Sequence, residues 1–191
     1  MFNVLLDPLP EEWNGYAIDT DFQTGIMISQ CLADESLSDT ERFYAAARLL
    51  FLKNCPGNEE IAEAIKWYMT EYSHDNTKPE KSELVIMDWN IDQWRIYAAF
   101  RQQYGIDLNV DRIHWFTFMG LLSNLQECAF TRVMDVRQKK ITAKMSNEEK
   151  AALRKAKMVF EIKQPKEVMS PEEKRQVDEF LKYANINRKK K

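Results

Sequence analysis

Apolar positions recur along the chain at helical spacing, and the recurrence starts and stops at turn-forming residues. Ser38 and Glu41 have the spacing of a capping box; Phe43, Ala46, Leu49, Leu50 and Phe51 follow, and Cys55, Pro56 and Gly57 end the run. Asn58 is placed to cap the next helix. There Ile61, Ile65, Tyr68, Met69 and Tyr72 share one face, with Glu59, Glu63 and Lys66 opposite. Upstream, Asp21 opens a helix to Leu32 whose inner side is Phe22, Ile26 or Ile28, and Leu32. Earlier still, Val4, Leu5, Leu6, Trp13, Tyr16 and Ile18 lie among Pro and Gly, which predicts a short strand or hairpin.

After a charged loop from Ser73 to Ser82, a short apolar run from Leu84 ends at Asp88-Trp89-Asn90-Ile91-Asp92. A helix is expected from about Asp92 to Tyr104, with Ile96, Tyr97, Phe100 and Tyr104 on one side and Gly105 as its stop. The next, opening at Val110 or Asp111, carries Trp115, Phe116, Phe118, Met119, Leu121 and Leu122. It is apolar nearly all round, which makes it the central helix. Tyr97, Phe100, Tyr104, Trp115, Phe118 and Leu122 are accordingly the expected core. A short basic helix from Thr131 to Ile141 follows, with Val133 and Val136 inward.

Beyond Lys139 the composition changes. Ser146 and Glu149 form a second capping box before a helix of Lys, Arg, Glu and Ala with a thin stripe of Leu153, Met158 and Val159. Ser170, Pro171 and Glu173 then precede Val177, Phe180, Leu181 and Tyr183, and the chain ends Asn-Arg-Lys-Lys-Lys. The pattern predicts a mainly α protein: a multi-helix globular bundle over residues 1–138, with a short N-terminal strand or hairpin. A basic helical extension with a disordered tail is expected over 139–191.

Of 191 residues, 45% are hydrophobic and only 5 are Gly, enough apolar material for a core without disulfide or metal. Three widely spaced cysteines, Cys31, Cys55 and Cys128, form no Cys-x-x-Cys pair and read as buried thiols in a reducing compartment. No basic leader or apolar run of membrane-spanning length is evident, so a cytoplasmic protein is expected. The net charge of −3 conceals an asymmetry: residues 1–110 carry 8 basic and 19 acidic groups, and residues 111–191 carry 19 and 11. Such a two-ended chain favours docking of its own halves or head-to-tail self-association.

Catalytic equipment is sparse. His114 reads as a packed or capping residue, and His74 lies in the polar loop without a partner at a metal-binding interval. Nothing locates Cys128 beside a base. Asp88 with Asp92, and Asp107 with Asp111, are four apart and suit capping better than cation binding. No glycine-rich phosphate loop occurs. No enzyme activity, cofactor or metal is therefore expected. The basic cluster of Arg132, Arg137, Lys139, Lys140 and Lys144 lacks interleaved aromatic residues, so it suits a solvated face better than a nucleic acid. Most of the five Trp, seven Tyr and ten Phe must serve the core, and those beyond its needs would mark a partner surface; Trp89 and Trp94, with Arg137, Lys139 and Lys140, are the partner-binding candidates.

The stretch from Asp88 to Arg137 resembles a family of siphophage and prophage proteins from Gram-positive hosts. The resemblance rests on Ile96-Tyr97-Ala98-Ala99-Phe100, on Gln103-Tyr104-Gly105-Ile106-Asp107-Leu108, on His114-Trp115-Phe116 through Leu125, and on Val133, Val136 and Arg137. An early Leu-Pro followed by Tyr16, Ile18, Asp21 and Phe22 also agrees. Phe116 stands where a second tryptophan is expected. Family members are encoded between the major tail protein and the tape-measure protein. The resemblance implies a chaperone-like tail-assembly factor in the host cytoplasm that binds the tape-measure protein and helps recruit tail-tube subunits. A structural tail or head-completion component and a nucleic-acid-binding accessory are the alternatives.

Overall fold

A computed structural model describes residues 2–71 and 85–162, and the elements in those two stretches follow from their caps. The hairpin pairs β1 (Glu12–Trp13) with β2 (Tyr16–Ala17). Its turn is Asn14-Gly15, both at positive φ (48° and 82°), the combination that a tight two-residue hairpin requires. Helix α1 (Phe22–Ala33) is capped by Asp21, whose carboxylate accepts from the Gln23 N–H at 2.8 Å. Helix α2 (Asp39–Leu50) begins with the predicted Ser38–Glu41 box. Helix α3 (Asn58–Thr70) is capped one residue earlier than expected: Gly57 is the cap, and Glu60 accepts its N–H.

Helix α4 (Trp89–Gln103) departs further, starting three residues ahead of the expected Asp92. Asp88 is the cap, accepting from the Asn90 and Ile91 N–H groups, while its own N–H donates to Asp92. Helix α5 (Trp115–Ser123) starts later than its apolar pattern suggested. Asp107 and Asp111 close a turn over residues 107–111, and the chain then runs extended beside residues 20–22, bridging Asp21 to His114. Helix α6 (Ala129–Gln138) and helix α7 (Asn147–Phe160) complete the described helices, the latter carrying the predicted Ser146–Glu149 box. The predicted loop over 73–82 and the helix after Ser170 lie outside the described residues.

These seven helices and the hairpin make the protein mainly α. The described residues up to Phe160 form one compact unit, which includes α7 packed on α6. Its centre is a stack of rings on α5: Phe118 lies 4.9 Å from Phe22 and 5.0 Å from Phe100, both nearly parallel, with Trp115 beyond it at 5.9 Å. Trp115, Phe100 and Phe118 are fully buried and Leu122 nearly so; Tyr97 and Tyr104, also expected in the core, sit half-buried at its margin. The Trp115 indole N–H donates to the Tyr68 carbonyl at 3.0 Å, fixing the ring against α3. Gly25 makes room for that indole, because a Cβ there would lie 2.8 Å from Trp115 Cε2 and closer still to Cδ2 and Cε3.

An ion pair joins α4 to α6. Asp92 is fully buried and receives two bonds from Arg137, at 2.6 and 3.2 Å, and one from Arg95 at 2.7 Å. Burial opposes ionisation of Asp92, but Arg137, the Asp88 N–H and Arg95 outweigh it, leaving its carboxyl below the ordinary range. Arg137 also donates to the carbonyls of Ile86 and Phe160, and Lys157 donates to the Arg137 carbonyl. The arginine expected at a partner surface is thus internal, consumed by a fully buried carboxylate whose other counter-charge, Arg95, is partly exposed. Nor are the cysteines buried thiols: Cys55 is exposed, and Cys31 and Cys128 are half-buried.

Candidate partner-binding groove

Helices α1 and α4 lie near one another without close packing, and the gap is a groove of about 390 Å³. Its floor comes from the core stack, Phe22, Ile96 and Phe118, extended by Ile26 and Leu108. Trp89 seals one side: its ring lies 6.4 Å from Trp115 and 6.2 Å from Phe118, and its indole N–H donates to Ser29 Oγ at 3.1 Å. Gln30 Nε2 bonds Asn90 Oδ1 at 3.2 Å and so ties the two helices across the groove.

The walls carry no charged side chain. Gln23 and Gln30 on α1, Asn90 and Gln93 on α4, and Asn109 supply the polar groups. Above them stands Trp94, 71% exposed and set edge-on to Tyr97 at 5.9 Å. An exposed tryptophan over an apolar floor rimmed by amides is suited to holding the apolar face of a helix whose flanks are polar but uncharged.

Of the residues expected to bind a partner, the structure brings Trp89 and Trp94 together on this groove, with Trp94 the open contact. Lys139 and Lys140 are exposed at the end of α6 and do not line it; Arg137 is internal. The amides lie outside the partner-binding residues expected from the sequence, although their signal is simple: Gln23, Ile26 and Gln30, and likewise Asn90, Gln93, Trp94 and Tyr97, fall at three-, four- and seven-residue intervals on one helix face.

The remaining chemical candidates have structural roles. His114 caps α5: Nδ1 accepts the Phe116 N–H at 3.0 Å, so Nε2 carries the proton and donates to the Pro10 carbonyl at 3.0 Å. Both ring nitrogens are occupied, and burial holds its pKa below the ordinary value against the opposing pull of Pro10 and Glu11. Both aspartate pairs are engaged in capping and turn closure, as their spacing suggested. His74 lies outside the described residues. Among the described residues, no three His, Cys, Asp or Glu side chains are placed to hold a metal ion, and no helix is long and apolar enough to cross a membrane.

Residues 5–162 match the family described as Bacteriophage Gp15 protein. No curated protein and no solved structure gives a significant match.

Proposed function

The chain belongs to the bacteriophage Gp15 protein family, and on that premise we propose that it is a non-enzymatic tail-assembly factor. In this reading it acts in the cytoplasm of a Gram-positive host, its gene lying between those of the major tail protein and the tape-measure protein. It holds helical segments of the tape-measure protein in soluble form while tail-tube subunits are recruited. The observation that carries the reading is the uncharged α1–α4 groove with Trp94 standing open above its apolar floor. A long helical partner presents stripes of aliphatic side chains that aggregate when exposed, and a groove of this chemistry covers them. Lys139 and Lys140, exposed at the end of α6, contribute steering of the encounter rather than affinity.

Co-expression with overlapping tape-measure fragments tests the reading. A fragment that stays soluble and co-elutes only in the presence of this chain supports it; failure of every soluble fragment to co-elute contradicts it. Finding the chain in finished particles would favour a structural tail or head-completion role instead.

A further inference from the structure

The ends of α6 and α7 cap each other. The last four carbonyls of a helix lack partners within it, and here two of them are satisfied across the pair. Lys157, in the last turn of α7, donates to the Arg137 carbonyl near the end of α6 at 2.7 Å. Arg137 Nε donates in return to the Phe160 carbonyl that closes α7, also at 2.7 Å. Each cation thereby meets the negative end of the other helix's dipole. Arg95 adds a contact from α4, its guanidinium 5.9 Å from the centre of the Phe160 ring. Little else holds α7. None of its residues is buried; Leu153, Ala156 and Phe160, at three- and four-residue spacing on one face, are half-buried. The connection from α6, residues 139–146, carries no helix. An element held this way opens at low cost, well before the core does.

The same arginine fixes one wall of the α1–α4 groove. Besides the Phe160 carbonyl, Arg137 binds both oxygens of Asp92 and the Ile86 carbonyl in the segment that enters α4. Asp92 in turn accepts the Asp88 N–H, closing the cap of α4. The turn fixed in this way carries Trp89, Asn90, Gln93 and Trp94 of the groove. Toward α1 it is tied by two side-chain hydrogen bonds, from Trp89 to Ser29 and from Gln30 to Asn90. With α7 docked, the Arg137 side chain is 5% exposed and that of Asp92 is wholly inaccessible. Lifting Phe160 away uncovers the guanidinium, and a hydrated ion pair holds its partners far less firmly than a dry one.

We propose that α7 is a reversible clasp on the α1–α4 groove, acting through Arg137. Docked, α7 keeps the Arg137–Asp92 pair dry and the first turn of α4 in the position that forms the groove. Released, it lets that turn loosen and the groove lose its shape. Arg137 is a positioning residue in this device, acting on a partner through α4. The consequence for binding rests on the groove reading proposed above. Linkage makes it reciprocal: a partner seated in the groove holds α7 closed.

Residue-resolved hydrogen exchange on the full chain tests the clasp without any partner. Leu153→Glu with Lys157→Ala removes contacts of α7 while leaving the ion pair and the groove lining in place; Met158→Ser, at a position 74% exposed, is the control and should change nothing. In the double variant the amides of α7 should exchange faster. Those of Asp88 and residues 90–94 should follow by at least about tenfold, with α2 and α3 unchanged. An α7 that exchanges as in the wild type, or a faster α7 beside an unchanged α4, overturns the proposal. Tape-measure fragments supply the second arm. One that binds the wild type should slow exchange in its α7 and should bind the double variant about tenfold more weakly. Equal affinity for both chains overturns the link to the groove, whereas failure of every fragment to bind the wild type refutes the groove's assignment and leaves the exchange rates to decide the clasp.

Discussion

Replacing Gly25 by alanine should reverse the usual sign of that substitution. In an ordinary helix interior Gly→Ala stabilises by about 1 kcal/mol, because the glycine backbone loses more freedom on folding. At Gly25 the added methyl would sit 2.8 Å from one ring carbon of Trp115 and nearer to two others, so the indole must shift by roughly the thickness of a methyl contact. It has little freedom to do so: the ring is fully buried, bonded to the Tyr68 carbonyl at 3.0 Å and stacked on Phe118 at 5.9 Å. Overpacking of this kind costs about 1–3 kcal/mol, and the pinned ring places Gly25 at the upper end. Subtracting the helix gain leaves a net loss of about 1–2 kcal/mol, equivalent to a Tm lower by roughly 2–8 °C for a chain of this size. Urea and thermal unfolding followed by tryptophan fluorescence measure both. The reasoning is refuted if Gly25→Ala unfolds at the same midpoint as the wild type or a higher one.

Three further outcomes follow from the core. Arg137→Met leaves the buried Asp92 with only the partly exposed Arg95 as counter-charge and should cost about 3 kcal/mol, the low end for a broken buried pair, while Asp92→Leu with Arg137→Met together should cost clearly less than that single change; chemical denaturation of both, giving equal losses, would show that the pair is not coupled. The Tyr68 hydroxyl is buried and has no partner among the described residues, and burial first, then Asp19 and Asp21, raise its pKa. Tyr68→Phe should therefore leave stability unchanged or raise it by about 1 kcal/mol, and a loss beyond 1 kcal/mol in the same unfolding assay would mean the hydroxyl has a partner. His114 is held neutral, with a folded pKa below its ordinary 6.5, so its contribution is complete above about pH 6.5 and is lost as pH falls toward the folded value. Wild-type stability should fall more between pH 7.5 and 5.5 than that of His114→Asn, whose side chain keeps a cap; parallel profiles would refute the assignment, the pH interval being set by about one unit on either side of an ordinary histidine.

Where a signal is local, the chain announces its structure. Ser38 and Glu41, Asp21, and Ser146 with Glu149 are caps readable from two or three residues, and the near-continuous apolar face of Trp115, Phe116, Phe118 and Leu122 marks α5 as central. Misreadings arose where two local readings compete and only tertiary packing decides. Asp88 and Asp92 are both sound caps by type; Asp92 lies inside α4 because Arg137, 45 residues away, joins Arg95 in neutralising it. The same distance hid the fate of Arg137, which looked like one more member of a surface cluster. The groove was half legible. Trp94 stood out as an aromatic residue with no obvious place in the core, whereas its floor depends on how far apart α1 and α4 come to rest, which no residue spacing encodes.

Calorimetric titration of tape-measure fragments into the wild type and Trp94→Ala tests the central claim most directly. The substitution alters an exposed side chain and should leave unfolding unchanged, yet as the open anchor of the groove it should weaken binding by about 2 kcal/mol, roughly thirtyfold. Lys139→Ala with Lys140→Ala should change mainly the salt dependence of association. Equal affinity of the wild type and Trp94→Ala for a fragment that binds would contradict the assignment of this groove.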